Sequence, residues 1–182
     1  MLCCDTMNLK LPPGPNPPEE VYVLVEIPEG SQNKYEFDKK LNMFVLDRVL
    51  HSPLHYPADY GHIPSTLCED GDPLDVLVLV TEPTFPGCLI KVRPIGVIEM
   101  EDEKGIDDKI LAVPVEDPRF DHVKDIEDIS EHILKEIVHF FEMYKALEPG
   151  KWVKVKGWFN AEKAKKIIMD AIQLYKERMK NV

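Results

Sequence analysis

The residues most suited to chemistry lie in Asp70-Gly71-Asp72-Pro73-Leu74-Asp75, where three carboxylates lead directly into the apolar run Val76 to Val80. The stability of a fold asks for nothing of the kind. Gly71 and Pro73 imply a turn, which can swing Asp75 to the same centre as Asp70 and Asp72 although simple strand alternation would separate them. Three converging carboxylates repel one another strongly unless cations neutralise them. An all-oxygen donor set selects a hard ion, Mg²⁺ or Mn²⁺, over zinc. A solvated acidic turn is the plain alternative for an arbitrary Asp-x-Asp, and the buried-looking strand that follows weighs against it here. An EF-hand calcium loop fails on spacing. It wants Gly at its sixth position and Glu at its twelfth, where this chain has Asp75 and Thr81.

A second acidic cluster runs from Glu101 through Asp102, Glu103, Asp107 and Asp108 to Lys109, between two predicted strands. As a polar hairpin tip it needs no function; two acidic loops on one closed sheet can equally converge. Lys34, Arg48, Lys109 and Lys145 are then natural partners for a polyanion, with Arg48 able to grip phosphate oxygens in a fork. Tyr56, Tyr60 and Tyr144 can donate hydroxyl hydrogen bonds to phosphate. Taken singly, each basic residue reads as a surface charge and each tyrosine as core. None of the six histidines forms HExxH or another metal pair, and neither a Walker-type phosphate loop nor GxSxG occurs. That disfavours zinc hydrolases, P-loop enzymes and serine esterases. Phosphate handling without a P-loop points to metal ions and basic side chains.

The elements that must hold these residues begin near Val21. Val21, Val23, Val25 and Ile27 share one face of a strand and Tyr22, Leu24 and Glu26 the other. Lys34 to Phe37 alternate charge with aromatic, so Lys34 and Glu36 project from the same side. Further strands are predicted at 43–50, 75–80, 90–100, 109–115 and 152–159. Asp128 and Glu131 pair as a capping box ahead of Ile133, Leu134, Ile137, Phe140, Phe141 and Tyr144, which predicts an amphipathic helix ending near Gly150. Asn160 caps a last helix carrying Ala164, Ile167, Ile168, Ala171, Ile172, Tyr175 and Met179. Short strands followed by two helices predict class α+β: a small closed β-barrel, OB-like, with two C-terminal helices packed outside.

At 182 residues, 44% hydrophobic and 30% charged, the chain suits one compact domain. Residues 1–20, with the proline-rich stretch Leu11 to Glu20, read as an extended lead-in and residues 21–182 as the single domain. A formal charge of −11 argues against nucleic acid or an anionic membrane as partner, since those need a basic footprint. The four cysteines contain no CxxC, and Cys3 and Cys4 fall where a terminus is expected to fray, so they read as incidental thiols. The opening residues lack the basic and apolar regions of a signal peptide, and no apolar run reaches membrane-spanning length. A soluble, cytoplasmic protein is the expectation.

The chain resembles the soluble family I inorganic pyrophosphatases, particularly their prokaryotic form, from about Gly14 to near the C-terminus. The D-G-D-P-hydrophobic-D signature stands at Asp70 to Asp75. With it come Glu26, the K-Y-E of Lys34 to Glu36, the D-R of Asp47 and Arg48, the Y-P-x-x-Y-G of Tyr56 to Gly61 and the R-P-x-G-V of Arg93 to Val97. The D-E-x-G-x-D-x-K of Asp102 to Lys109, the H-F-F-E-x-Y-K of His139 to Lys145 and the G-W of Gly157 and Trp158 complete the set. His62 stands where an aromatic is also familiar.

The resemblance implies hydrolysis of pyrophosphate to two orthophosphates without a covalent intermediate. It implies several Mg²⁺ ions per site, with Mn²⁺ or other divalent ions as substitutes, held by Asp70, Asp75, Asp102 and Asp107 and supported by Glu36. Asp72 is similar to the residue taken as general base. Lys34, Arg48, Tyr60, Lys109, Tyr144 and Lys145 would hold the phosphates, with Glu26, Tyr56 and Glu103 in support. It also implies a homo-oligomer, a hexamer as in prokaryotic relatives. Two other readings compete: a noncatalytic OB-type binding module, which would want a basic groove with stacking aromatics, and a phosphatase for nucleotides or phosphate esters, for which no base- or sugar-reading motif is evident.

Overall fold

The computed structural model describes residues 11–38 and 40–180. Its first strand, β1 (Val21–Ile27), follows the alternation of its sequence: Val21, Val23 and Val25 are wholly buried, while Tyr22 and Glu26 on the other face are only partly covered. β2 (Asn33–Asp38) and β3 (Met43–Val49) form an antiparallel hairpin of their own, with Lys34 opposite Arg48. β4 (Asp59–His62), β5 (Asp75–Val78), β6 (Leu89–Asp102), β7 (Gly105–Ile106), β8 (Lys109–Pro114) and β9 (Val153–Asn160) complete the strands. Two helices, α1 (Glu131–Met143) and α2 (Ala161–Lys180), flank β9 in the chain.

β1 pairs with β4, β4 with β5, β5 with β8, β8 with β6, and β6 returns to β1, so the sheet closes on itself. Only the β5–β8 pair is parallel among these. β6 also carries β7 and β9. Closure removes the unpaired edges that would otherwise invite association with other chains. The class is α+β, as the sequence predicts.

Alternation along the same strands feeds two apolar cores. Leu77 of β5 and Leu111 and Val113 of β8 pack with Ile137, Phe140 and Phe141 of α1. Val76, Val78, Ile110 and Ala112 belong instead with Ala164, Ile168, Ala171 and Ile172 of α2. Each helix therefore covers its own set of side chains, and α2 lies outside the sheet against β6 and β9.

Three local expectations are corrected. α1 does not start from an Asp128–Glu131 capping box: Asp128 closes a single 3₁₀ turn capped by Asp125, and its carboxylate accepts from the Asp125 amide at 3.0 Å. Ile129 is then extended, so the chain leaves helical geometry before α1 begins behind Ser130, which makes no side-chain cap bond. The helix also stops at Met143, short of Gly150, because the chain continues as tight turns, with the Ala146 amide bonded to Met143 O and the Glu148 amide to Lys145 O. The strand β4 was not foreseen. Asp-Tyr-Gly-His has no apolar alternation, and Gly61 is there because a β-carbon would lie 2.1 Å from Leu24 O of β1. At the other end, Asn160 caps α2 as expected, its side chain accepting from the Lys163 amide at 3.1 Å.

The lead-in from residue 11 is tied down. Asn16 and Glu20 exchange backbone hydrogen bonds, and the Tyr22 amide bonds to Pro13 O at 2.9 Å. Cys3 and Cys4 lie outside the described residues. No helix among the described residues is long and apolar enough to cross a membrane.

Candidate active site

The start of β5 and the start of β8 lie side by side because the two strands are parallel and paired from Val76–Ile110 onward. That register sets Asp75 next to Lys109. Lys109 Nζ donates to Asp75 Oδ2 and to Asp107 Oδ1, both at 2.8 Å, and its side chain is only 2% exposed. The Tyr60 hydroxyl, delivered by β4, donates to the same Asp75 oxygen at 2.5 Å. The ammonium also lies 5.4 Å from the centre of the Tyr60 ring and 5.7 Å from that of Phe141. Burial works against a charge on Lys109, yet the surrounding Asp75 and Asp107 hold its pKa well above the ordinary lysine value. Burial, then the Asp75 charge, lifts Tyr60 well above its usual range. Asp107 is raised by burial and by the charge of Asp75, against the pull of Lys109. One buried ammonium thus faces two carboxylates, leaving net negative charge.

The acidic turn sits above this floor. Gly71 takes a left-handed φ of 92°, the Cys68 amide bonds to Asp72 O at 2.8 Å, and the Asp72 amide bonds back to Asp70 Oδ1 at 3.0 Å. Asp70 and Asp72 are exposed and Asp75 half-buried. The turn therefore brings the three to one cleft, but Asp70 and Asp72 stay at its rim while Asp75 is already engaged by Lys109. Among the described residues no group of three His, Cys, Asp or Glu side chains is gathered into a ready-made cation cage. Mutual repulsion is reason enough for that spread.

Lys34 and Arg48 form the second wall, on the β2–β3 hairpin. Lys34 Nζ is bonded to Glu36 and, at 3.0 Å, to Asp47. Projection of Lys34 and Glu36 from one side is as predicted. Arg48 donates from Nη1 to Asp47 at 2.5 Å and from Nε to Glu148 at 3.0 Å. Glu26 links this hairpin to the sheet: its Oε1 accepts from the Phe37 amide at 3.0 Å, and its other oxygen lies 3.5 Å from His62 Nδ1.

The third wall comes from the end of β6 and the turn after α1. Lys145 Nζ donates to Asp102 Oδ2 at 2.7 Å and lies 4.0 Å from Glu103. Although partial burial pushes the other way, Lys145 and the Lys104 amide hold the Asp102 carboxyl below the usual range. Burial raises the Tyr144 hydroxyl.

Every candidate residue except Tyr56 lines this single cleft, whose volume is about 790 Å³. Tyr56 is buried behind it, 5.5 Å from the Tyr60 ring and 4.9 Å from Phe140. It packs against the Tyr60 and Phe140 rings and is not among the residues that line the cleft. Asp47, which the sequence marks only as part of the D-R pair with no role of its own, bridges Lys34 and Arg48; its place in a charged pair on an alternating strand is a usable signal. Beyond their position around a Pro-Gly turn, the sequence does not point to Lys151, which lines the cleft, or to Glu148 behind it, the two joined at 2.7 Å.

The donors fit a hard cation. The carboxylates supply oxygen only, and the one thiol lining the cleft, Cys68, is pushed up to about 12 by burial and by the charges of Asp70 and Asp75, so it stays protonated. A neutral thiol is a poor ligand for soft metals.

Comparison with known proteins agrees with this arrangement. The family profile described as inorganic pyrophosphatase matches residues 23–176. The inorganic pyrophosphatase of Haloferax volcanii is 54% identical over 164 residues, covering 90% of this chain and 93% of the relative. That of Aquifex pyrophilus is 51% identical, covering 92% and 96%. The crystal structure of inorganic pyrophosphatase from Thermus thermophilus superposes with a TM-score of 0.91 at 53% identity, covering 93% of this chain and 99% of that one. Sequence, fold and relatives agree that the chain belongs to the inorganic pyrophosphatase family.

Proposed function

We propose that the protein hydrolyses inorganic pyrophosphate to two orthophosphates with Mg²⁺ as cofactor. The observation that carries this is the cleft itself, where fixed ammonium and guanidinium groups stand among more carboxylates than they can neutralise. A polyanion alone would be repelled there, and a polyanion with divalent cations would not. Asp70, Asp75, Asp102 and Asp107 would hold Mg²⁺, with Glu36 in support; the metal supplies Lewis acidity that lowers the pKa of water and neutralises phosphate charge.

The chain's own residues do the rest. Lys109 and Tyr60 on the floor and Lys34, Arg48, Tyr144 and Lys145 on the walls together hold the two phosphate groups. Such cations compensate charge on the phosphoryl oxygens and on the departing phosphate. Asp72, exposed on the turn and without an ammonium partner among the described residues, takes a proton from the attacking water. No side chain needs to form a bond to phosphorus. Glu26 anchors the hairpin, Glu103 flanks Lys145, and Tyr56 backs Tyr60. Residues 21–182 act as one domain, in the cytoplasm, where Cys68 and Cys88 stay as the free thiols they are here. The working form is a closed homohexamer, and light scattering at working concentration that finds a 20.9 kDa monomer contradicts it.

A phosphate-release assay with pyrophosphate, ATP and a simple phosphoester, with and without Mg²⁺, tests the reading. Pyrophosphate should be split only with the metal, chelation should abolish turnover, and Ca²⁺ should inhibit because it is larger and tolerates looser geometry. Preference for ATP would favour a nucleotide phosphatase. Undiminished turnover after metal removal would overturn the mechanism.

A further inference from the structure

Glu148 lies in the turn between α1 and β9, a hundred residues from the arginine it touches. Its side chain is 4% exposed, less than the 7% of Asp102, and each oxygen has its own cation: Oε1 accepts from Arg48 Nε at 3.0 Å and Oε2 from Lys151 Nζ at 2.7 Å. The same turn carries Tyr144 and Lys145, and the Glu148 amide is bonded to Lys145 O at 2.9 Å. Arg48 gives Nε to Glu148 and one N–H of Nη1 to Asp47, so among the described residues Nη2 has no hydrogen-bond partner and is available to an anion. A planar guanidinium held along two edges cannot rotate without breaking a charge-assisted bond.

From this geometry we propose that Glu148 is a positioning residue for phosphate binding, locking the Arg48 guanidinium across the cleft and joining the β2–β3 hairpin to the turn that carries Tyr144 and Lys145. The proposal rests on the pyrophosphatase reading for the identity of the substrate. Glu148 itself does not touch the phosphate. Its carboxyl is held below the usual range by Lys151 and Arg48 despite its burial, so it meets both cations as an anion.

Glu148→Gln keeps the size and one acceptor, but its amide N–H₂ cannot also accept from Lys151. The assay measures KM for pyrophosphate and, separately, the Kd of inorganic phosphate by calorimetry with Mg²⁺ present, in four proteins: wild type, Glu148→Gln, Arg48→Lys and the double variant. Glu148→Gln should raise KM and Kd by about tenfold, as for loss of a hydrogen bond between charged groups, with kcat changed less. In the Arg48→Lys background, which has no planar fork to align, the same change should cost no more than about twofold. Glu148→Asp keeps the charge on a shorter reach and should fall in between; it carries the test if Glu148→Gln does not fold. Equal effects in both backgrounds, or a loss of thermal stability with KM and Kd unchanged, would overturn the proposal. Wild type that binds phosphate but leaves pyrophosphate intact defeats the functional reading alone, and the Kd series still decides on Glu148.

Discussion

On the floor of the cleft Lys109 is enclosed between Asp75 and Asp107, whereas at the rim Lys34 and Arg48 share Asp47 in partial contact with solvent. Both regions pair cations with carboxylates at similar distances, but their energetics differ. A buried ammonium cannot lose its partners without being left in a low-dielectric interior, while an exposed pair exchanges each lost contact for water. The floor is consequently a fixed part of the fold. The rim can rearrange, releasing Lys34 or Arg48 from Asp47 when a phosphate competes for them.

The sharpest way to break the comparison is to remove the floor's cation. Lys109→Met should cost about 3–5 kcal/mol of stability, because Asp75 and Asp107 are left facing each other without it. Denaturant unfolding of the metal-free protein measures this, and a loss below about 1 kcal/mol, the range of exposed pairs, would erase the distinction.

The acidic turn offers the second test, since it holds one carboxylate on the floor and another at the rim. Asp72→Asn should lower turnover by roughly 10², the worth of a positioned base, leave folding intact and move the pH optimum upward. Asp75→Asn should weaken metal binding, so that part of its lost activity returns at high Mg²⁺. Turnover against Mg²⁺ concentration and pH decides between them. Rescue of Asp72→Asn and not of Asp75→Asn would mean the roles are reversed.

The smallest effect belongs to the rim. Asp47→Asn should cost at most about 1 kcal/mol and less in high salt. Lys34 and Arg48 lower the Asp47 pKa from 3.8 in spite of its partial burial, so its contribution is present above that value and fades as pH falls through the lowered one. Thermal melts of wild type and variant should therefore converge on acidification, and a gap that widens instead would contradict the assignment.

Much of this was legible in the chain. The alternation of Val21 to Ile27, the Lys34–Glu36 pair, the cap at Asn160 and the class of the fold all follow from local periodicity, and the candidates picked out by motif order, Tyr56 apart, all line the cleft. What stayed hidden was set by contacts distant in sequence. Asp-Tyr-Gly-His becomes a strand only because β1 and β5 lie on either side of it. Asp128 is drawn into the 3₁₀ turn capped by Asp125. Glu148 acquires its meaning from Arg48, and no local pattern could announce that partner. Nor does spacing reveal that Lys109, in a run of charges, is the most deeply enclosed cation of the site, whereas Asp70 and Asp72 remain outside.

The pairing of β6 has a consequence for how the molecule comes into being. Its partners include β1, at the beginning of the chain, β8 beside it, and β9, close to the end. A chain emerging from synthesis can close the circuit through β8, but β6 keeps an open edge until β9 has been made. The turn carrying Tyr144 and Lys145 precedes β9, so the third wall of the cleft is secured last. Pairings so distant in sequence make for slow folding, and the nascent protein must pass through a stage in which its longest strand is exposed to other chains before the site exists.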